Sequence, residues 1–97
     1  MAAYCFFDIR EFTDQEKMAN HREGVIATIE KYQGRYLVLG GKFEVVEGDW
    51  RPNVPAIIDG PSIEQARKWY ESQEYKPLSK LRLESGRSNA VFIEGRC

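Results

Sequence analysis

The chain is poor in the residues that most often carry chemistry. Only one histidine and two cysteines occur among its 97 residues. Cys5 and Cys97 stand at opposite ends, which excludes a CxxC metal or redox pair and a disulfide framework. With a lone histidine and acids scattered among lysines, no zinc- or calcium-type ligand spacing is present, so no metal is expected. The phosphate-binding pattern GxxxxGK[ST] is missing, because Gly40-Gly41-Lys42 is followed by strand-like alternation and not by a helix. No cofactor is expected. No apolar run approaches the ~20 residues of a membrane span, and the N-terminus lacks a charged region followed by a hydrophobic core. A reduced, cytoplasmic protein without a membrane partner is the expectation. Basic residues hold no excess either: 14 Lys and Arg face 15 Asp and Glu, a net charge of −1. That excludes the phosphate-neutralising surface of a nucleic-acid module.

What is present is a globular balance, 42% hydrophobic and 30% charged, in a length that fits one domain over 1–97. A chain this short is near the low end of what buries its own core, and pairing is one way to add to it. Residues 3–9 form an apolar, aromatic-rich run that predicts a first strand. Thr13-Asp14-Gln15-Glu16 reads as a capping box opening a helix, with Phe12 placed to staple onto its first turn at Lys17 or Met18. Met18, Val25, Ile29 and Tyr32 give that helix an apolar side, and Gly34 is placed to stop it. A long second strand is predicted over 35–47, bent at Gly40-Gly41. Turn residues at 48–53 precede a third strand at 54–59, and Ser62 caps a second helix. Pro77 suits the first turn of a short further helix through Leu83, and 89–94 form the last strand.

The order β-α-β-β-α-β predicts a ferredoxin-like α+β fold, an antiparallel sheet with helices on one face. Cys5-Phe6-Phe7 and Ala56-Ile57-Ile58 are apolar at consecutive positions, although a sheet with one wet face should alternate. A second covering layer is therefore expected, and a second copy of the chain is the economical source of one.

The capped first helix, Tyr32-Gln-Gly-Arg-Tyr-Leu-Val-Leu-Gly-Gly, Glu47-Gly-Asp-Trp-Arg-Pro and Ser62-Ile-Glu-Gln-Ala-Arg-Lys-Trp-Tyr-Glu-Ser resemble the DUF1330 family of small bacterial proteins. So does Glu74-Tyr through Leu81-Arg-Leu, and the likeness runs from about Ala3 to Gly95. The resemblance implies a ferredoxin-like monomer that pairs sheet to sheet as a dimeric α/β barrel. It also places the chain near cofactor-free monooxygenases, small isomerases, haem-handling proteins and decarboxylating or dehalogenating enzymes, as well as proteins with no established activity. Fold does not choose among these.

Five residues are candidates for a small-molecule site. His21 lies at i+3 from Met18 and i−4 from Val25, on or beside the inward face, as a general base or haem ligand, or as a paired boundary histidine. Trp50 and Arg51 read either as a pocket rim that stacks a planar ligand and pairs its carboxylate, or as a cover for the dimer seam. Of Trp69 and Tyr70, adjacent on a helix, one belongs to the core and the other to the helix–sheet cleft. Tyr75 follows at the helix break, as a ligand contact or a loop anchor. Asp8 and Asp59 end strands that are neighbours in this fold, so a carboxylate pair is one possibility and ion pairs with Arg10 and Arg82 the other. The leading expectation is a small-molecule-binding homodimer with cofactor-independent oxygenase- or isomerase-like activity. The alternative is a non-catalytic dimeric binding or structural module.

Overall fold

The computed structural model describes residues 2–96, excepting the side chains of Phe12, Gln15, Met18, Asn20, Arg22 and Glu23. The expected Phe12 staple, the Met18 end of the helix face and Cys97 lie outside the described residues. The elements run β1 (Ala3–Phe12), α1 (Gln15–Lys31), β2 (Arg35–Leu39), β3 (Val54–Gly60), α2 (Ile63–Tyr70), α3 (Lys76–Glu84) and β4 (Gly86–Glu94). The strands form one four-stranded sheet in the order β2-β3-β1-β4, every pair antiparallel. This is the ferredoxin-like βαββαβ arrangement.

Local chemistry sets the helix ends. The carboxylate of Asp14, not the hydroxyl of Thr13, caps α1 by accepting the Lys17 N–H at 3.1 Å. Pairing of β1 with β4 continues to Phe12 opposite Gly86, and the Thr13 N–H is donated to the Ser85 carbonyl. Thr13 thus leaves the sheet still extended, and the cap falls one residue later. At the other end, the Gln33 N–H binds Glu30 O at 3.0 Å and the Gly34 N–H binds Ile29 O at 2.9 Å, a Schellman closure. The left-handed residue is Gln33, at φ 70°. Gly34 serves a different need: a Cβ there would stand 2.9 Å from the Asp59 carbonyl oxygen of β3. Ser62 caps α2 as expected, accepting the Gln65 N–H at 3.1 Å.

The second strand is shorter than its pattern. Leu39 opposite Ala56 is its last pair, the Gly40 N–H then reaches Pro55 O at 2.7 Å, and Gly40 turns away at φ 65°. The alternation at Phe43-Glu44-Val45 is not a strand. β3 begins only at Val54, so a longer β2 would have no neighbour in this chain to satisfy its backbone groups.

Period-two geometry separates the two sheet faces. Cys5, Phe7, Ala56 and Ile58 are buried beneath the helices with Val25, Ile29, Ala66, Trp69 and Tyr75. On the opposite face Phe6 pairs with Ile57 and Val91, and Tyr4 with Ile93. That face is half open: Val91 is 49% and Ile93 53% exposed.

Candidate functional site

A cavity of about 410 Å³ lies between the helices and the sheet. Its floor is sheet: Phe7, Ile9, Tyr36, Val54, Ala56 and Ile58. Helix α1 contributes His21 and Val25, the α2 end Trp69, and the α3 region Tyr75 and Arg82. Leu39 and Gly40, both exposed, line the side where the cavity meets the surface. The walls are mainly apolar, with an imidazole, two phenols, an indole and a guanidinium among them.

The aromatic wall is fixed by short hydrogen bonds. The Trp69 indole N–H donates to Thr28 Oγ1 at 3.0 Å, and that hydroxyl donates to Val25 O at 2.8 Å. Trp69 is thereby held to α1. Ser72, buried at the α2–α3 link, donates to Trp69 O at 2.7 Å and accepts the Tyr75 N–H at 3.1 Å. This serine sets the break that brings Tyr75 back onto Trp69, with ring centroids 4.2 Å apart. The His21 ring meets the edge of Tyr75 at 6.2 Å. Burial pushes the Tyr75 phenol above its ordinary range, partly opposed by the nearby Arg82 guanidinium, so it is a protonated donor at neutral pH.

Arg82 is the least expected member of the site. Helix α3 turns Ser79, Arg82 and Ser85 inward and leaves Leu83 59% exposed, the reverse of ordinary amphipathic order. Its Nη1 donates to Ser88 Oγ on β4, its Nη2 to the Tyr70 hydroxyl at 3.4 Å, and its guanidinium lies over the Phe7 ring. Its Nε is buried with no hydrogen-bond partner. Among the described residues no carboxylate lies within ion-pair distance of it.

The residues singled out from the sequence are distributed over three places. His21 and Tyr75, buried at 7% and 1% exposure, line the cavity. Tyr70 stands behind it, half-buried against Phe92 and Arg82, while its neighbour Trp69 faces in. Trp50 and Arg51 lie elsewhere. Trp50 is 63% exposed and leans on Phe6, on the open sheet face, with centroids 5.8 Å apart. The Arg51 carbonyl accepts a hydrogen bond from Arg10 Nη1 at 2.7 Å, and its side chain does not line the cavity.

The two acids do not form a pair. In the antiparallel β1–β3 register Asp8 stands opposite Pro55 and Asp59 opposite Tyr4, roughly 13 Å apart along the strands at ~3.3 Å per residue. Asp59 pairs instead with Arg35 Nε at 3.2 Å. Asp8 accepts from the Asn53 N–H at 2.8 Å, the Val54 N–H at 3.1 Å and Arg10 Nη1 at 2.7 Å. Burial raises its pKa, but these donors together outweigh it and hold the carboxyl below its ordinary 3.8. Asp8 pins the turn that enters β3.

Of the adjacent pair it is Trp69, buried in the core, that also lines the cavity, and Arg82 lines it as a cation where the sequence offered it as an ion-pair partner of Asp8 or Asp59. The signal for Arg82 was the spacing of Tyr75, Ser79 and Arg82 at i, i+4 and i+7 on one helix face. Among the described residues no group of histidine, cysteine and acid side chains is arranged to hold a metal, and no helix is long and apolar enough to cross a membrane.

Comparison with known proteins agrees with this fold. A crystal structure of a protein of unknown function from Rhodopseudomonas palustris superposes with a TM-score of 0.75 at 14% identity, covering 99% of this chain and 83% of that one. A dimeric protein of unknown function and ferredoxin-like fold from Bacteroides fragilis matches with a TM-score of 0.52 at 12% identity, over 97% and 94% of the two chains. An antibiotic biosynthesis monooxygenase matches with a TM-score of 0.53 at 13% identity, over the full length of both chains. At such identities the likeness is one of fold. No curated protein matches the chain. The family model described as a domain of unknown function, DUF1330, matches residues 2–96, and the chain belongs to that family.

Proposed function

We propose that the protein binds one small organic molecule per subunit in the helix–sheet cavity, and that His21 acts on it as a general base without a bound cofactor. The observation that carries this reading is the cavity itself. Its volume of about 410 Å³ falls at the low end of the ~300–1,000 Å³ typical of small-molecule sites. Its apolar walls carry a few convergent polar groups, the pattern that orients a ligand in a dry environment. His21 supplies a proton acceptor beside the bound molecule, and the protonated Tyr75 phenol supplies a donor. Proton transfer between the two sides of a bound carbon acid is isomerase-type chemistry. The carbanion so formed is also the species that cofactor-free oxygenases expose to dioxygen. The likeness in fold to a monooxygenase is compatible with this reading and does not select it.

We also propose that the working unit is a homodimer, paired through the open sheet face as a dimeric α/β barrel. Phe6, Ile57, Val91 and Ile93 form an apolar surface there, and Trp50 already leans on its edge.

A thermal-shift and NMR titration with planar carboxylic acids, quinones and neutral aromatics tests the site. At least one probe is expected to raise Tm in the native protein and not in Val54→Trp, which fills the cavity from its floor beside Gly40. Exchange of that probe's acidic C–H in D2O, catalysed by the native protein and lost in His21→Gln, would support the enzyme. Binding without exchange would reduce the protein to a non-catalytic binding module, and absence of any binding would reject the site.

A further inference from the structure

We infer that the ligand of this cavity is an organic monoanion, a carboxylate, enolate or phenolate, whose charged oxygen is received by Arg82. This inference rests on the cavity being the binding site proposed above. It makes Arg82, and not the exposed Arg51, the anion anchor.

Four observations lead there. First, Arg82 is a permanent cation at 4% exposure. A buried charge is costly unless it is paired, and among the described residues no carboxylate pairs with it. Asp8, the buried acid nearest in chemistry, is committed to Arg10 and to two backbone amides. Second, among the described residues the guanidinium is held in place by neutral groups alone. Ser88 and Tyr70 take one donor each, and the Phe7 ring lies under the plane at 5.3 Å. These contacts orient the fork without neutralising it, and Nε remains without an acceptor. A carboxylate or enolate oxygen at the part of the guanidinium that lines the cavity provides the missing charge. Third, Tyr75 and Arg82 line the same cavity, which offers a bound oxygen an O–H and an N–H donor within one chamber. Fourth, among the described residues that line the cavity Arg82 is the sole lysine or arginine. A single cation matches a single negative charge. A phosphate ester or other dianion would leave one charge uncompensated in an apolar chamber.

The remaining walls, with Val25, Ile58 and Trp69 among them, favour an apolar or aromatic body. The ligand class is therefore a small hydrophobic acid, bound through its charged oxygen. In that pose the stabilised oxyanion lies within the same chamber as His21, which is what abstraction of a proton next to a carbonyl requires.

Isothermal titration with benzoate, cinnamate and 4-phenylbutyrate, each against its primary amide, tests the inference. The amides match the acids in shape and lack the charge. The native protein is expected to bind at least one acid about ten-fold or more tightly than its amide. The preference should collapse toward unity in Arg82→Met and persist in Arg51→Met. Arg82→Lys, which keeps the charge but loses the fork, is expected to weaken acid binding several-fold while retaining part of the preference. Equal binding of acids and amides by the native protein, or a preference unchanged in Arg82→Met, would overturn the anion anchor. Binding of amides alone would overturn it and leave the cavity reading standing. Failure of all six probes would reject both. The comparison of acid with amide in the native protein needs no variant, so it holds even if Arg82→Met does not fold.

Discussion

The guanidinium of Arg82 lies over the ring of Phe7, 5.3 Å from its centroid, and this stack joins α3 to β1 across the floor of the cavity. The ring offers a weak, non-neutralising partner to a buried charge. Cation–π contacts contribute about 0.5–2 kcal/mol, whereas a buried charge left unpaired costs several. Arg82 thus carries a buried charge that Ser88, Tyr70 and Phe7 contact without neutralising it.

A stability test follows from that imbalance. Arg82→Met is expected to leave the unfolding free energy within about 1 kcal/mol of the native value or to raise it, since relief of charge burial offsets the lost contacts. Urea unfolding of both proteins measures this, and a loss of 3 kcal/mol or more would mark Arg82 as structural.

Trp69 should behave in the opposite way. Thr28→Val leaves its buried indole N–H without an acceptor and is expected to cost about 1–3 kcal/mol. Trp69→Ala, which empties the wall shared with Phe7 and Tyr75, should cost about 3–5 kcal/mol. Paired denaturation curves would separate the two effects.

Asp8 links stability to acid. Its carboxyl lies below its ordinary 3.8, so its contribution is complete above that value and is lost as pH falls through the lowered one. Asp8→Ala strands the Asn53 and Val54 amides and is expected to cost about 3 kcal/mol at neutral pH. Between pH 4 and pH 2, the variant's Tm should fall less steeply than the native protein's, as scanning calorimetry would record.

Cys5 should be inert in the folded state. Burial pushes its thiol up to about 11, and the thiolate is the reactive form. Iodoacetamide at pH 8 is expected to label Cys5 only after denaturant is added, as peptide mass spectrometry would show. Prompt labelling in the native protein would mean that the core around Phe7 and Ile58 opens readily.

Dimerisation is tested on the open sheet face. Val91→Lys combined with Ile93→Lys places two charges among Phe6, Tyr4 and their neighbours and should yield a monomer by light scattering at micromolar concentration. The native protein is expected to be a dimer under the same conditions, and a native monomer would remove the pairing from the proposal.

Much of the architecture was legible in the chain, because helix and strand periods and caps are local properties. The order of elements, the Ser62 cap and the two-faced pattern of Cys5-Phe6-Phe7 each depend on residues within a few positions of one another. The inward placement of His21 was legible for the same reason, since Val25 and Ile29 define the face four residues at a time. Other features needed three dimensions. β2 ends at Leu39 because β3 starts at Val54, and no pattern within 35–47 contains that fact. Trp50 and Arg51 share a turn with the chemistry of a pocket rim, yet neither lines the cavity, and Trp50 leans on Phe6 on the far side of the sheet. Arg82 reads in the sequence as an ion-pair partner for Asp8 or Asp59, and only in the fold do Phe7, Tyr70 and Ser88, from three other elements, close around it. The sequence by itself determined which faces are apolar. Only the tertiary structure decided where a charge is trapped between them, because burial is set by residues distant in the chain.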